Sequence, residues 1–167
     1  MSYYAGQVCG IIGTVFGLLV PLQKNKGHML FAVSMVNLFF SLNLLLIGEI
    51  GSGITTNCVA IVQTIVSYWH LKKGIPVTKI ENLVFIVLYI SLGLMGVHRG
   101  LDILPIIASL INMLATFQVD EQKTRILTLI NCVVFGTYYA LVGATAVVAQ
   151  VLAFGTSVIG LIKYRKK

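Results

Sequence analysis

The sequence predicts an all-α membrane protein: seven transmembrane helices forming two parallel three-helix repeats joined by a single linker helix. Three observations predict it. The 167 residues are 57% hydrophobic and only 10% charged, and the charges sit in short gaps between about seven apolar stretches. Each stretch approaches the ~20 residues that cross a bilayer as a helix. Threaded up and down, the stretches put 11 of the 12 Lys and Arg residues on one side. The chain also aligns with itself at an offset of 95 residues.

The first stretch, 4–22, lacks the basic lead and cleavage pattern of a secretory signal and reads as a retained span. Gly6, Gly10, Gly13 and Gly17 lie four, three and four apart, on one stripe. Such a stripe lets a neighbouring backbone approach closely, as a packing face or hinge. Pro21 and the Lys24–Gly27 turn separate it from 28–47, which carries Ser34, Asn37 and Ser41 on one face. The third stretch, 51–71, carries Thr56, Gln63 and Ser67 near one face. Gly74–Pro76 leads into the linker, 79–97. Stretch 102–117 carries Ser109, Asn112 and Thr116; 124–142 carries Thr128, Asn131 and Tyr138; 145–163 carries Gln150 and Ser157. The whole of 1–167 is one integral membrane domain, with 4–71 and 102–163 as the two triplets.

An outer N-terminus puts every Lys and Arg except Arg99 on the cytoplasmic side, the bias expected of short cytoplasmic loops. The net charge of +7 is therefore a topology signal and does not point to nucleic acid. Tyr3 and Tyr4 at one face, and Tyr68, Trp69 and Tyr164 at the other, suit an interfacial aromatic belt. At the 95-residue offset, Ile11 and Ile12 meet Ile106 and Ile107, Gln23 meets Gln118, Gly48 meets Gly143 and Trp69 meets Tyr164. One intervening span gives both triplets the same orientation, a repeat about an axis along the membrane normal.

The 3+1+3 plan and Pro21-Leu22-Gln23 at the end of the first helix resemble the SWEET and PQ-loop transporters. Leu22 separates Pro21 from Gln23, and Thr116-Phe117-Gln118 in the second triplet has no proline. The only tryptophan, Trp69, lies near a helix end, so the likeness concerns fold rather than sugar specificity. A closer resemblance, over nearly the whole chain, is to YgjV-type bacterial inner-membrane proteins. It rests on Leu104-Pro105-Ile106-Ile107, on Tyr138, Gly143 and Gln150, and on the Leu161-Ile162-Lys163-Tyr164-Arg165 exit. It implies a multi-pass protein of the bacterial inner membrane.

The polar residues at mid-depth are the candidates for function, since an amide facing lipid would leave its donors unsatisfied. Asn37, Gln63, Asn112, Asn131, Tyr138, Gln150 and Ser157 are expected to line a cleft between the triplets. The expected solute is small, neutral and polar, such as a sugar, vitamin or nucleoside. The expected mechanism is uncoupled facilitated diffusion by alternating access, because no Asp, Glu, Lys, Arg or His lies at mid-depth. Glu49, Arg99 and Asp102 belong to the outer rim; Glu81, Asp120 and Glu121 belong to the inner one. His28, His70 and His98 at helix ends read as solvated or snorkelling side chains. Cys9, Cys58 and Cys132 read as small apolar residues: three is odd and their spacing fits no metal site. No catalytic motif occurs, and the expectations are no enzyme activity, no cofactor and no metal. Glycines 6, 10, 13 and 17, with Pro21, Gln23 and Pro105, are assigned to packing or hinge roles. Lipid is the expected surroundings, and a homo-oligomer is compatible with the chain. The alternative is a membrane assembly protein whose polar stripes serve only to hold helices together.

Overall fold

Seven α-helices account for most of the computed structural model, which describes residues 2–47, 52–95, 97, 100, 103–141 and 146–164. Glu49, His98, Arg99, Asp102, Gly143 and 165–167 lie outside the described residues, as does the side chain of Tyr139. The helices are α1 Ser2–Leu19, α2 Lys26–Ile47, α3 Ser52–Lys73, α4 Lys79–Leu94, α5 Ile103–Phe117, α6 Glu121–Leu141 and α7 Ala146–Lys163. A 3-10 turn, Val20–Leu22, follows α1. These bounds lie close to those expected from hydropathy, and no strand occurs among the described residues.

The glycine stripe fixes the partner of α1. A Cβ on Gly10 would lie 3.0 Å from Asn43 Nδ2, and one on Gly13 would lie 3.1 Å from the Phe40 ring. Asn43 Nδ2 donates to the Gly6 carbonyl at 2.6 Å, and Phe16 stacks on Phe39. The absent side chains thus allow α2 to pack directly on the α1 backbone. The opposite stripe of α1, Tyr4, Val8, Ile11, Val15 and Leu19, is exposed.

Helix ends are set by local chemistry. Thr78 and Glu81 form a reciprocal capping box at the start of α4. Asn25 Oδ1 accepts from the Gly27 amide ahead of α2, and Asp120 Oδ1 accepts from the Gln122 amide ahead of α6. Gly74 stops α3 with φ 67°, which a side chain would disfavour.

Within each triplet the middle helix joins the other two: α2 packs on α1 and α3, and α6 on α5 and α7. Between triplets, α1 and its 3-10 turn meet α7, and α3 meets α5. Helix α4 packs against α3 and α5, where Ala60, Phe85, Tyr89 and Met113 form a buried cluster.

Every helix keeps an apolar exposed face, for example Phe31 and Leu45, Val62 and Ile65, Val87, Leu114, Ile130 and Val133, and Val151 and Ile159. Apolar exposure on this scale marks a surface that meets lipid or another apolar partner. Among the described residues one helix, Tyr3–Leu22, is long and apolar enough to cross a bilayer by its own composition, and only 22% of it is buried. Ile103–Phe117 and Val148–Lys163 are apolar but shorter.

Candidate functional site

The candidate polar residues differ in burial and in the hydrogen bonds they make. Gln63 is almost fully buried on α3. Its Nε2 donates to the Met113 carbonyl of α5 at 3.0 Å, and its Oε1 accepts from Tyr89 Oη of α4 at 2.8 Å. One amide therefore ties three helices together. Asn37, also buried, donates to the Val33 carbonyl of its own helix at 2.9 Å. Ser157 is fully buried and donates to the Ala153 carbonyl at 2.8 Å.

Asn112, Asn131, Tyr138 and Gln150 are half-buried. Asn112 adjoins Met113, whose carbonyl Gln63 reaches, and Gln150 packs beside Gly136 across the α6–α7 contact. Two buried oxygens in the middle helices have no protein partner: Ser41 Oγ in α2 and Asn131 Oδ1 in α6. Such orphaned acceptors are uncommon in native interiors and call for an explanation.

The basic end holds what sequence reasoning missed. Lys24, Lys72, Lys73, Lys79, Lys123 and Lys163 are exposed, as expected of loop cations. Lys26 and Arg125 are instead buried, at 4% and 1% exposure. Arg125 at the start of α6 reaches the end of α1: its Nε donates to the Pro21 carbonyl at 3.0 Å and an Nη to the Gln23 carbonyl at 2.7 Å. Its guanidinium lies over the Tyr164 ring, 4.8 Å from the centroid. Gly160 of α7 makes this approach possible, since a Cβ there would sit 2.2 Å from the Pro21 oxygen. Lys26 at the start of α2 reaches the end of α5, its Nζ donating to the Ala115 carbonyl at 2.9 Å and to Thr124 Oγ1 at 2.8 Å.

The two contacts are reciprocal. Each triplet's middle helix supplies a cation to the end of the other triplet's first helix. A helix end leaves carbonyls without partners and carries partial negative charge, so both cations are favourably placed. Burial pushes the Lys26 ammonium down to about 7, while the Glu121 carboxylate pulls the other way.

The expectation that His70 is a solvated or snorkelling side chain is also corrected. It is buried, with Nε2 2.9 Å from Glu81 Oε1 and Nδ1 3.2 Å from the Ile75 carbonyl. Its capped acidic partner lies eleven residues away across the α3–α4 turn, so periodicity alone gave no sign of the pair. Two cavities of about 210 and 340 Å³ lie at this end, beside Lys26 and beside Lys123.

A helical bundle that exposes apolar side chains on every helix and gathers its cations at one end is a membrane protein. Residues 4–167 match the Imp-YgjV family, described as bacterial inner membrane protein, and the chain belongs to that family. Comparison with curated proteins and with solved structures finds no match.

Proposed function

We propose that this inner-membrane protein is a multi-pass facilitator that carries a small neutral polar solute down its gradient. The observation that carries the reading is the pair of orphaned oxygens, Ser41 Oγ and Asn131 Oδ1, one in the middle helix of each triplet. A hydroxyl-rich solute would supply the missing donors. Asn112, Tyr138 and Gln150 are further candidate contacts, whereas Gln63 ties α3, α4 and α5 together and Ser157 bonds within α7. The matched packing order of the triplets and the Asn25 and Asp120 caps, 95 residues apart, support a parallel repeat, one of the arrangements on which alternating access is built. In this reading the basic end faces the cytoplasm, the N-terminus lies outside, and no ion is coupled.

The test is a thermal-shift screen of purified protein against sugars, nucleosides, vitamins and neutral amino acids, followed by uptake of any stabilising solute into proteoliposomes. Asn131→Leu should remove both shift and uptake while the protein stays folded. Unchanged uptake in a well-folded Asn131→Leu variant would overturn the assignment. The saturated Gln63 amide favours a second reading, an assembly protein with a packed polar core. That reading expects no stabilising solute and a loss of stability in every polar-to-Leu variant.

A further inference from the structure

The cavity of about 210 Å³ at the basic end lies between α2, α3 and the end of α5, covered by the 74–77 connection. Its wall is mostly apolar, including Leu30, Val77 and Phe117, with five polar side chains, Lys26, Ser67, His70, Gln118 and Thr116, the last already donating to the Asn112 carbonyl. The lysine makes the site unusual. Its ammonium is buried, yet both bonded partners, a carbonyl and a hydroxyl, are neutral. Among the described residues the one ion pair within 4 Å joins His70 to Glu81, so Lys26 has no carboxylate in contact. The Glu121 carboxylate acts on it only from beyond contact distance, and a buried cation without a close counter-ion is costly.

An ammonium has three N–H donors, and two are used by Ala115 and Thr124. Ser67 Oγ, on a side chain 5% exposed, has no partner and lines the same cavity. Both His70 nitrogens face protein oxygens, so its ring contributes to the wall and not to binding. Lys26 also caps the last turn of α5, which offsets the negative end of that helix beside the cavity. Exposed Lys24, Lys72, Lys73 and Lys123 surround this end and attract anions toward it.

We propose that the cavity binds one phosphate group, which takes the free N–H of Lys26 and the hydroxyl of Ser67, with an apolar body against Leu30, Val77 and Phe117. A tetrahedral oxyanion suits this set: it supplies the missing negative charge and several acceptors at once. Two sources carry that chemistry, the headgroup of an anionic phospholipid and a soluble phosphate. Basic pockets between helices at the cytoplasmic side are a known way to hold anionic headgroups. This site is separate from the mid-depth polar residues, so its failure would leave the transport reading untouched.

The experiment uses the full chain, delipidated in neutral detergent. Native mass spectrometry and thermal melting are followed on adding phosphatidylglycerol, phosphatidylcholine or inorganic phosphate. Retention of phosphatidylglycerol with a raised melting temperature, and no effect of phosphatidylcholine, identifies a lipid headgroup site. Saturable stabilisation by inorganic phosphate alone identifies a soluble one; either result upholds the proposal. Lys26→Met and Ser67→Ala should each weaken binding about tenfold or more, the scale of a lost charge-assisted hydrogen bond. Lys72→Met, an exposed lysine at the same end, should change it little. Should Lys26→Met fail to fold, Ser67→Ala carries the test alone. Equal response to all additives, or binding that Lys72→Met weakens and Ser67→Ala does not, overturns the site.

Discussion

Replacing Gly160 by alanine should separate α7 from the end of α1. The new Cβ would lie 2.2 Å from the Pro21 oxygen, 3.0 Å from its carbonyl carbon and 3.4 Å from Arg125 Cδ. Ordinary contact needs roughly 3.5 Å, so the backbone must move by ~1 Å. That displacement lengthens the 3.0 Å bond from Arg125 Nε to the Pro21 carbonyl beyond bonding distance. Overpacking of this kind costs about 1–3 kcal/mol. A lost hydrogen bond to a buried charge costs about 1.5–3 kcal/mol more. The expected loss is about 2.5–6 kcal/mol if the two costs add. Gly155 provides the control on the same helix: a Cβ there meets nothing within 4 Å. Gly155→Ala should be neutral or gain about 0.5–1 kcal/mol from helix propensity. Equilibrium unfolding in mixed micelles reads both variants. Combining Gly160→Ala with Arg125→Met should give far less than the sum of the single losses, because both break the same junction. A Gly160→Ala stability within ~0.5 kcal/mol of Gly155→Ala would refute the proposed junction.

Four further outcomes are expected. Gln63→Leu should cost about 1–3 kcal/mol by stranding the Tyr89 hydroxyl and the Met113 carbonyl, and adding Tyr89→Phe should recover part of it; a double-mutant cycle with zero coupling would contradict this. Lys26 has a folded value of about 7 against 10.5 for an unperturbed lysine, so its contribution to stability is fully present above the higher value and lost as pH falls through the lower. The stability of the wild type relative to Lys26→Met should therefore rise from about pH 7 to about pH 9, and a flat difference would show that the amine is solvated. Once a solute is found, uptake into proteoliposomes should stop at equal concentrations with or without a pH gradient, since the hydropathy pattern places no Asp, Glu, Lys, Arg or His at mid-depth; accumulation above equilibrium would exclude uncoupled transport. Reporter fusions at the two chain ends should place the N-terminus outside and the C-terminus in the cytoplasm, and a common side for both would exclude seven crossings.

Hydropathy and turn chemistry act over a few residues, so the helices, their approximate ends and the segregation of charge are legible in the amino-acid order alone. The stripe of Gly6, Gly10, Gly13 and Gly17 also announced a close helix partner, although only the fold identified α2 as that partner. The basic residues were legible as a group but not individually. Lys24 and Lys26 stand two apart in one turn, yet one is exposed and the other buried. The difference comes from Ala115, 89 residues further along, whose carbonyl Lys26 reaches. Arg125 is likewise buried by partners more than 100 residues away at Pro21 and Gln23. The polar stripes behaved the same way: helical spacing turned Gln63 and Asn131 inward without distinguishing them. Tertiary packing gave Gln63 two partners and left Asn131 Oδ1 with none. Periodicity states which way a side chain faces along its own helix. Whether a polar atom there is already satisfied depends on what the other helices bring to it.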